Sequence, residues 1–100
     1  MLESHLDHIK QLCVKYEVSK LYVFGSILTE SFNEKSDIDF LITFSPDLSV
    51  EDYTNYYFEL HQELQTILDR NIDLVTERSL QNPFLIKNIN RSRKLLYDAA

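Results

Sequence analysis

Glycine is almost missing from this chain: one in 100 residues, alongside two prolines, one cysteine and no tryptophan. Each scarcity excludes something. The Walker loop and the dinucleotide fingerprint both need two or three glycines in a short span, which Gly25 alone cannot supply. A lone Cys13 rules out an intrachain disulfide and a cysteine-rich zinc site, and fits a reducing compartment. Positive charge is also in deficit. Ten Lys and Arg against sixteen Asp and Glu leave a formal net charge of −6, which argues against a broad electrostatic grip on a nucleic-acid backbone. No apolar run approaches membrane-spanning length, and Met1-Leu2-Glu3-Ser4-His5-Leu6-Asp7 lacks the basic start and apolar core of a signal peptide. A soluble, cytoplasmic protein without membrane contact is expected. With 44% hydrophobic content and no repeat or linker, residues 1–100 should form a single domain with a modest core.

The one glycine sits where chemistry is plausible. Leu21-Tyr22-Val23-Phe24 reads as a buried strand, and Gly25-Ser26 follows where a helix would start. Glycine lets backbone approach a ligand closely, and free N–H groups at a helix start form a seat for phosphate. Further on, Asp37-Ile38-Asp39-Phe40-Leu41-Ile42 reads as a second strand. Residues two apart on a strand face the same way, so both carboxylates would look into one space. At about 6 Å their repulsion would be about 3 kcal/mol for an effective dielectric of about 20. A cleft holding both ionised invites a divalent cation. Asp73, in Ile72-Asp73-Leu74-Val75-Thr76, is a third carboxylate among apolar residues; it joins the others only if the second and third strands are neighbours.

The remaining elements follow from periodicity. Leu6, Ile9, Leu12, Cys13 and Tyr16 recur at helical spacing and should cover a sheet. A short helical turn from Ser26 is expected to bury Ile27, Leu28 and Phe32, ahead of a polar loop, Asn33-Glu34-Lys35-Ser36. The second strand runs from about Asp37 to Phe44, and a long helix from Val50 to Arg70 carries Tyr53, Tyr57, Leu60, Leu64, Ile67 and Leu68 on one side. Asn82-Pro83 reads as a cap and first-position proline for a helix through about Asn90, and Leu95-Leu96-Tyr97 as a short strand or packed tail. Helices interleaved with strands predict an α/β or α+β sandwich. His5, His8 and His61 read as solvated helix residues, and Tyr53, Tyr56, Tyr57 and Phe58 as core plus rim rather than a base-stacking platform.

Gly25-Ser26, ten intervening residues and Asp37-x-Asp39 resemble the signature of the nucleotidyltransferase superfamily related to DNA polymerase beta. More narrowly, the chain is similar to the minimal nucleotidyltransferase (MNT) domains encoded beside HEPN-domain proteins in prokaryotes. The likeness runs from the leading helix through Val23-Phe24-Gly25-Ser26, Ser36-Asp37-Ile38-Asp39-Phe40-Leu41 and Ile72-Asp73-Leu74-Val75 to Leu96-Tyr97. It implies a nucleotidyltransferase-like small mixed sheet of three to four strands covered by helices. By position it implies that Gly25 and Ser26 hold a triphosphate. It further implies that Asp37, Asp39 and Asp73 are catalytic residues ligating Mg²⁺ in a two-metal site, with Asp73 helping to activate the attacking hydroxyl. Two hard cations bridged by carboxylates can stabilise both the attacking and the leaving oxygens of a displacement. The reaction implied is transfer of AMP (NMP) from ATP to a hydroxyl, with a HEPN-type protein as partner and an antitoxin role.

Relatives often follow Gly-Ser with an arginine and a later glycine, where this chain has Ile27-Leu28-Thr29-Glu30-Ser31. Arg70, Arg91, Arg93 and Lys94 are then the basic residues available to phosphates, although Arg91, Arg93 and Lys94 also suit a helix C-terminus. Two functions therefore compete. A domain used only for binding gains nothing from packing three carboxylates together, which favours the enzyme. The altered residues after Ser26 favour a non-catalytic antitoxin that neutralises its partner by contact. Direct nucleic-acid binding is not expected, and homo-oligomerisation stays open.

Overall fold

The computed structural model describes residues 2–100. Four strands form one sheet: β1 (Val18–Phe24), β2 (Ile38–Phe44), β3 (Ile72–Thr76) and β4 (Lys94–Asp98), in the order β3-β2-β1-β4. β1 runs antiparallel to both β2 and β4, whereas β2 and β3 are parallel. A parallel pair needs a crossover long enough to bring the chain back. The nineteen residues of α2 (Val50–Leu68) provide it. α1 (Leu6–Lys15) precedes β1, and α3 (Pro83–Ser92) lies between β3 and β4. Among the described residues no helix is long and apolar enough to cross a membrane.

Alternation along the strands divides the sheet into two faces. Leu21 and Val23 of β1, Ile38, Phe40, Ile42 and Phe44 of β2, and Ile72 and Leu74 of β3 form one buried cluster with Ile9, Leu12 and Cys13 of α1 and Leu60, Leu64 and Leu68 of α2. The helical residues recur at three- and four-residue steps, which places them on the sheet-facing sides. Burying each large aliphatic side chain contributes about 1.5–3 kcal/mol, so this face carries most of the folding energy. Asp39, Leu41 and Thr43 alternate with that set and belong to the other face. There Leu41 and Ile89 of α3 are buried, yet neither joins the main cluster.

Local signals account for the helix ends. The Ser49 side chain accepts from the Asp52 N–H at 3.1 Å, and α2 stops at Asp69, whose φ of 50° is left-handed. Asn82 caps α3 by accepting from Phe84 N–H at 2.9 Å, with Pro83 in the first turn. α1 is tied to α2 by the Tyr16 hydroxyl, which donates to Glu63, and by Lys15 at 3.5 Å from the same carboxylate.

Several expectations need correction. The turn after β1 is a 3₁₀ segment, Gly25–Leu28, and Leu28 is 38% exposed because this short turn directs it away from the core that receives Ile27 and Phe32. β1 begins at Val18, ahead of the expected start at Leu21. His61 is no solvated surface residue: its Nε2–H donates to the Ile72 carbonyl at 2.7 Å, and its ring stacks on Tyr57. β3 is an edge strand, and its outward carbonyls have to find partners off the sheet.

Candidate functional site

The pairing of β1 with β2 places Phe24 opposite Asp39, so the chain leaves β1 at Gly25 directly beside that carboxylate. Gly25 has φ of +81°, and a Cβ added there would collide with Asp39 Oδ2 while lying 3.4 Å from its Cγ. Two independent constraints therefore demand glycine: a backbone conformation that side chains resist, and a neighbour that occupies the space. The parallel pairing of β2 with β3 sets Asp39 opposite Asp73. In-register residues on adjacent strands share a face and lie about 5 Å apart at the backbone. Asp39 is thus flanked by the Gly25 bend on one strand and by Asp73 on the other.

Asp37 arrives differently. β2 starts at Ile38, whose N–H donates to the Asn71 carbonyl at 3.2 Å, so Asp37 sits in the preceding turn and is exposed. It still acts on Asp39. The half-buried Asp39 carboxyl is held above the ordinary carboxylate range, first by burial, then by the charge of Asp73, then by that of Asp37. Among the described residues no Lys or Arg forms an ion pair with any of the three acids. Ser26 lies half-buried in the 3₁₀ turn, where its carbonyl accepts from both the N–H and the hydroxyl of Thr29.

Whether these residues fit a cation depends on what else the cation brings. Among the described residues no group of three or more His, Cys, Asp or Glu is spaced to hold a metal ion unaided. Magnesium gives up water reluctantly and usually binds through one or two carboxylates together with substrate phosphates. An Asp39–Asp73 pair with Asp37 nearby, all acceptor-only oxygens and all unneutralised, suits that arrangement. The absence of a side chain at Gly25 lets the Asp39 carboxylate lie directly against the backbone bend.

The basic residues are distributed otherwise than expected. Arg70 is spent on the loop before Asp37: its Nη1 donates to the Ser36 carbonyl at 3.0 Å and the Asn33 carbonyl at 3.2 Å, and its guanidinium lies over the Phe32 ring at 4.7 Å. Arg93 lies over Tyr22 at 4.2 Å, and Tyr22 pairs with Leu41 on the sheet face that also carries Asp39. Sequence reasoning missed the roles of Tyr57 and His61. The Tyr57 hydroxyl donates to the Leu74 carbonyl at 2.6 Å, so with His61 on Ile72 the two side chains bracket Asp73. Their spacing of four on a helix was the available signal. A cavity of about 480 Å³, lined by Leu6, Val23, Ile27, Phe32, Leu95 and Leu96 together with the charged Glu3, Lys10 and Lys94, includes none of the three acids.

The chain is similar to known nucleotidyltransferases in sequence and in fold. The family model described as polymerase beta, nucleotidyltransferase matches residues 7–100. A candidate protein adenylyltransferase of Methanocaldococcus jannaschii is 38% identical over 82 residues, covering 82% of this chain and 80% of the relative. A crystallised toxin–antitoxin with AMP-PNP contains a chain that superposes with a TM-score of 0.71 at 26% identity, over 94% of this chain and 73% of that one. A tri-AMPylated HEPN toxin of Shewanella oneidensis in complex with its MNT antitoxin matches with a TM-score of 0.68 at 25% identity, over 99% of this chain and 74% of that one.

Proposed function

The chain belongs to the polymerase beta nucleotidyltransferase family, and from that premise we propose that it is a Mg²⁺-dependent adenylyltransferase that moves AMP from ATP to a hydroxyl of a HEPN-type partner. In this reading it acts as an antitoxin in the cytoplasm, with residues 1–100 working as one domain. The observation that carries the reading is the juxtaposition of Gly25, Asp39 and Asp73 at one end of three neighbouring strands. The AMP-PNP held in one structural neighbour and the AMPylated HEPN toxin in another support the choice of nucleotide and acceptor.

The residues take roles that follow from their chemistry. Gly25 and Ser26 receive the triphosphate, the first through a backbone bend that only glycine can make this close to Asp39 and the second through its N–H and hydroxyl. Asp37, Asp39 and Asp73 hold Mg²⁺, which supplies charge neutralisation for the attacking and leaving oxygens when bound. Asp73, exposed on the edge strand, takes the proton of the acceptor hydroxyl. The acceptor oxygen bonds to the α-phosphorus as the bond to the bridging oxygen breaks, and pyrophosphate leaves.

A second reading, neutralisation by contact alone, is favoured by one observation: the turn after Gly25 carries no basic side chain, and Arg70 is committed to the loop carbonyls. One experiment separates the two. Wild-type protein incubated with Mg²⁺, α-labelled ATP and the product of the adjacent gene should label that product, and Asp39→Asn should abolish the label while the complex still forms. A complex that silences the partner without any label, in wild type and variant alike, would establish the contact mechanism.

A further inference from the structure

We propose that Tyr57, His61 and Arg70 are positioning residues that set the spacing of the three carboxylates by gripping the backbone around them. The inference rests on reading Asp37, Asp39 and Asp73 as the cation-binding set. On a parallel strand the N–H and C=O of one residue point to the same side. The Asn71 carbonyl accepts from Ile38 of β2, so the Ile72 and Leu74 carbonyls point outward from the sheet edge. Those are the two carbonyls that His61 and Tyr57 occupy, at 2.7 and 2.6 Å, one on each side of Asp73.

The match is geometric. Four residues along a helix advance about 6.0 Å and two along a strand about 6.6 Å, so side chains at 57 and 61 meet carbonyls at 74 and 72 without distortion. Two anchors fix both the slide of β3 along α2 and its rotation. The anchors brace each other, with ring centroids 6.3 Å apart and planes inclined by 11°. Arg70 extends the grip across the site. It follows the left-handed Asp69 and stands just before β3, yet it reaches Ser36 and Asn33 in the turn that delivers Asp37. Its Nε is buried with no partner, so the two Nη1 bonds and the Phe32 ring hold it in place.

Gripping carbonyls has a consequence that gripping carboxylates would lack. An Arg or Lys paired with Asp39 or Asp73 would orient the acid but also neutralise it and compete with a cation. Neutral Tyr57, His61 at the strand edge, and an arginine turned onto the loop orient the acids while leaving their charge intact. Outer partners of metal ligands commonly change metal affinity by roughly 10–100-fold when removed.

The test is Mn²⁺ affinity, used as the probe in place of Mg²⁺, measured by electron paramagnetic resonance in the presence of AMP-PNP on the full chain. Tyr57→Phe combined with His61→Leu, and separately Arg70→Met, should weaken Mn²⁺ binding by roughly 10–100-fold in protein that circular dichroism shows to be folded. His61→Gln, which keeps an N–H near the position of Nε2, should recover most of the loss. Tyr57→Phe alone, differing from wild type by one oxygen, supplies the measurement if the double variant fails to fold. Variants that fold and bind Mn²⁺ like wild type would overturn the positioning role while leaving the site intact. A wild type that binds no Mn²⁺ with AMP-PNP would instead overturn the reading of the acids on which it rests.

Discussion

Replacing Asp39 with Asn should make the cation-free protein more stable, because the native fold holds this carboxylate against its preference. Burial and the charges of Asp73 and Asp37 raise its pKa in the folded state. An acid with a raised folded pKa costs stability as pH climbs: the unfolded chain gives up its proton first, so the folded state weakens through the interval between the two values and stays weaker above it. The penalty is absent below the unfolded value and present in full above the folded one. Its size follows from the in-register pairing of Asp39 with Asp73. Two charges about 6 Å apart repel by about 3 kcal/mol at an effective dielectric of about 20. Asp73 is exposed and Asp39 only half-buried, so solvent screening reduces this to about 1 kcal/mol. For a domain of this size that corresponds to a rise in Tm of about 4–8 °C. Thermal denaturation with a chelator at low salt should show the gain at pH 7, a smaller one in high salt, and none near pH 3. With Mg²⁺ and ATP present the order should reverse, since a ligand bound only to the folded wild type stabilises it by mass action. An Asp39→Asn protein that melts at or below the wild-type temperature at pH 7 with chelator would refute the account of a strained acid cluster.

Gly25→Ala should lower stability by about 1–3 kcal/mol from backbone strain alone, with a further loss from the collision with Asp39. Combining it with Asp39→Ala removes the collision, so the double variant should melt higher than the sum of the single losses predicts, and strict additivity would count against the contact. The Cys13 thiol, buried and pushed up to about 12 by desolvation, should resist alkylation at pH 8 in the folded protein. Modification by iodoacetamide at the rate of a free thiol in native buffer would contradict that burial.

Much of the fold was readable because period and burial coincide. Ile9, Leu12 and Cys13 recur on one helical face and are all buried, and the alternation in β2 survives in Phe40, Ile42 and Phe44. Where period broke, the reading shortened the element. The start of β1 was hidden because its register with β2 shifts between Val18 and Lys20, which disrupts the alternation a strand normally shows. The chain end was ambiguous for a related reason: β4 pairs with β1 through a shift between Leu21 and Tyr22, and most of its residues are exposed. Gly25 stood out through scarcity, and Asp39 through its spacing from Asp37. The partnership of Asp39 with Asp73 depends on which strands become neighbours, and no local pattern encodes that. His61 was misread because its acceptor, the Ile72 carbonyl, becomes available only after β3 takes the sheet edge and α2 packs beside it.

That dependence explains why the basic residues were harder to place than the acids. A carboxylate in a cation site is useful through its charge, which composition reveals, whereas Arg70 acts here through its reach, which only the fold reveals. The same division bears on how a nucleotide would enter. The chain carries a net charge of −6, and among the described residues no Lys or Arg forms an ion pair with its three acids, so free triphosphate would meet repulsion at the Gly25 bend. Triphosphate already carrying a divalent cation presents less negative charge and brings the counterion that Asp39 lacks. On the proposed reading, the missing arginine after Ser26 is thus replaced in function by the nucleotide's own metal, and the backbone grip of Tyr57, His61 and Arg70 keeps the acids in place to receive it.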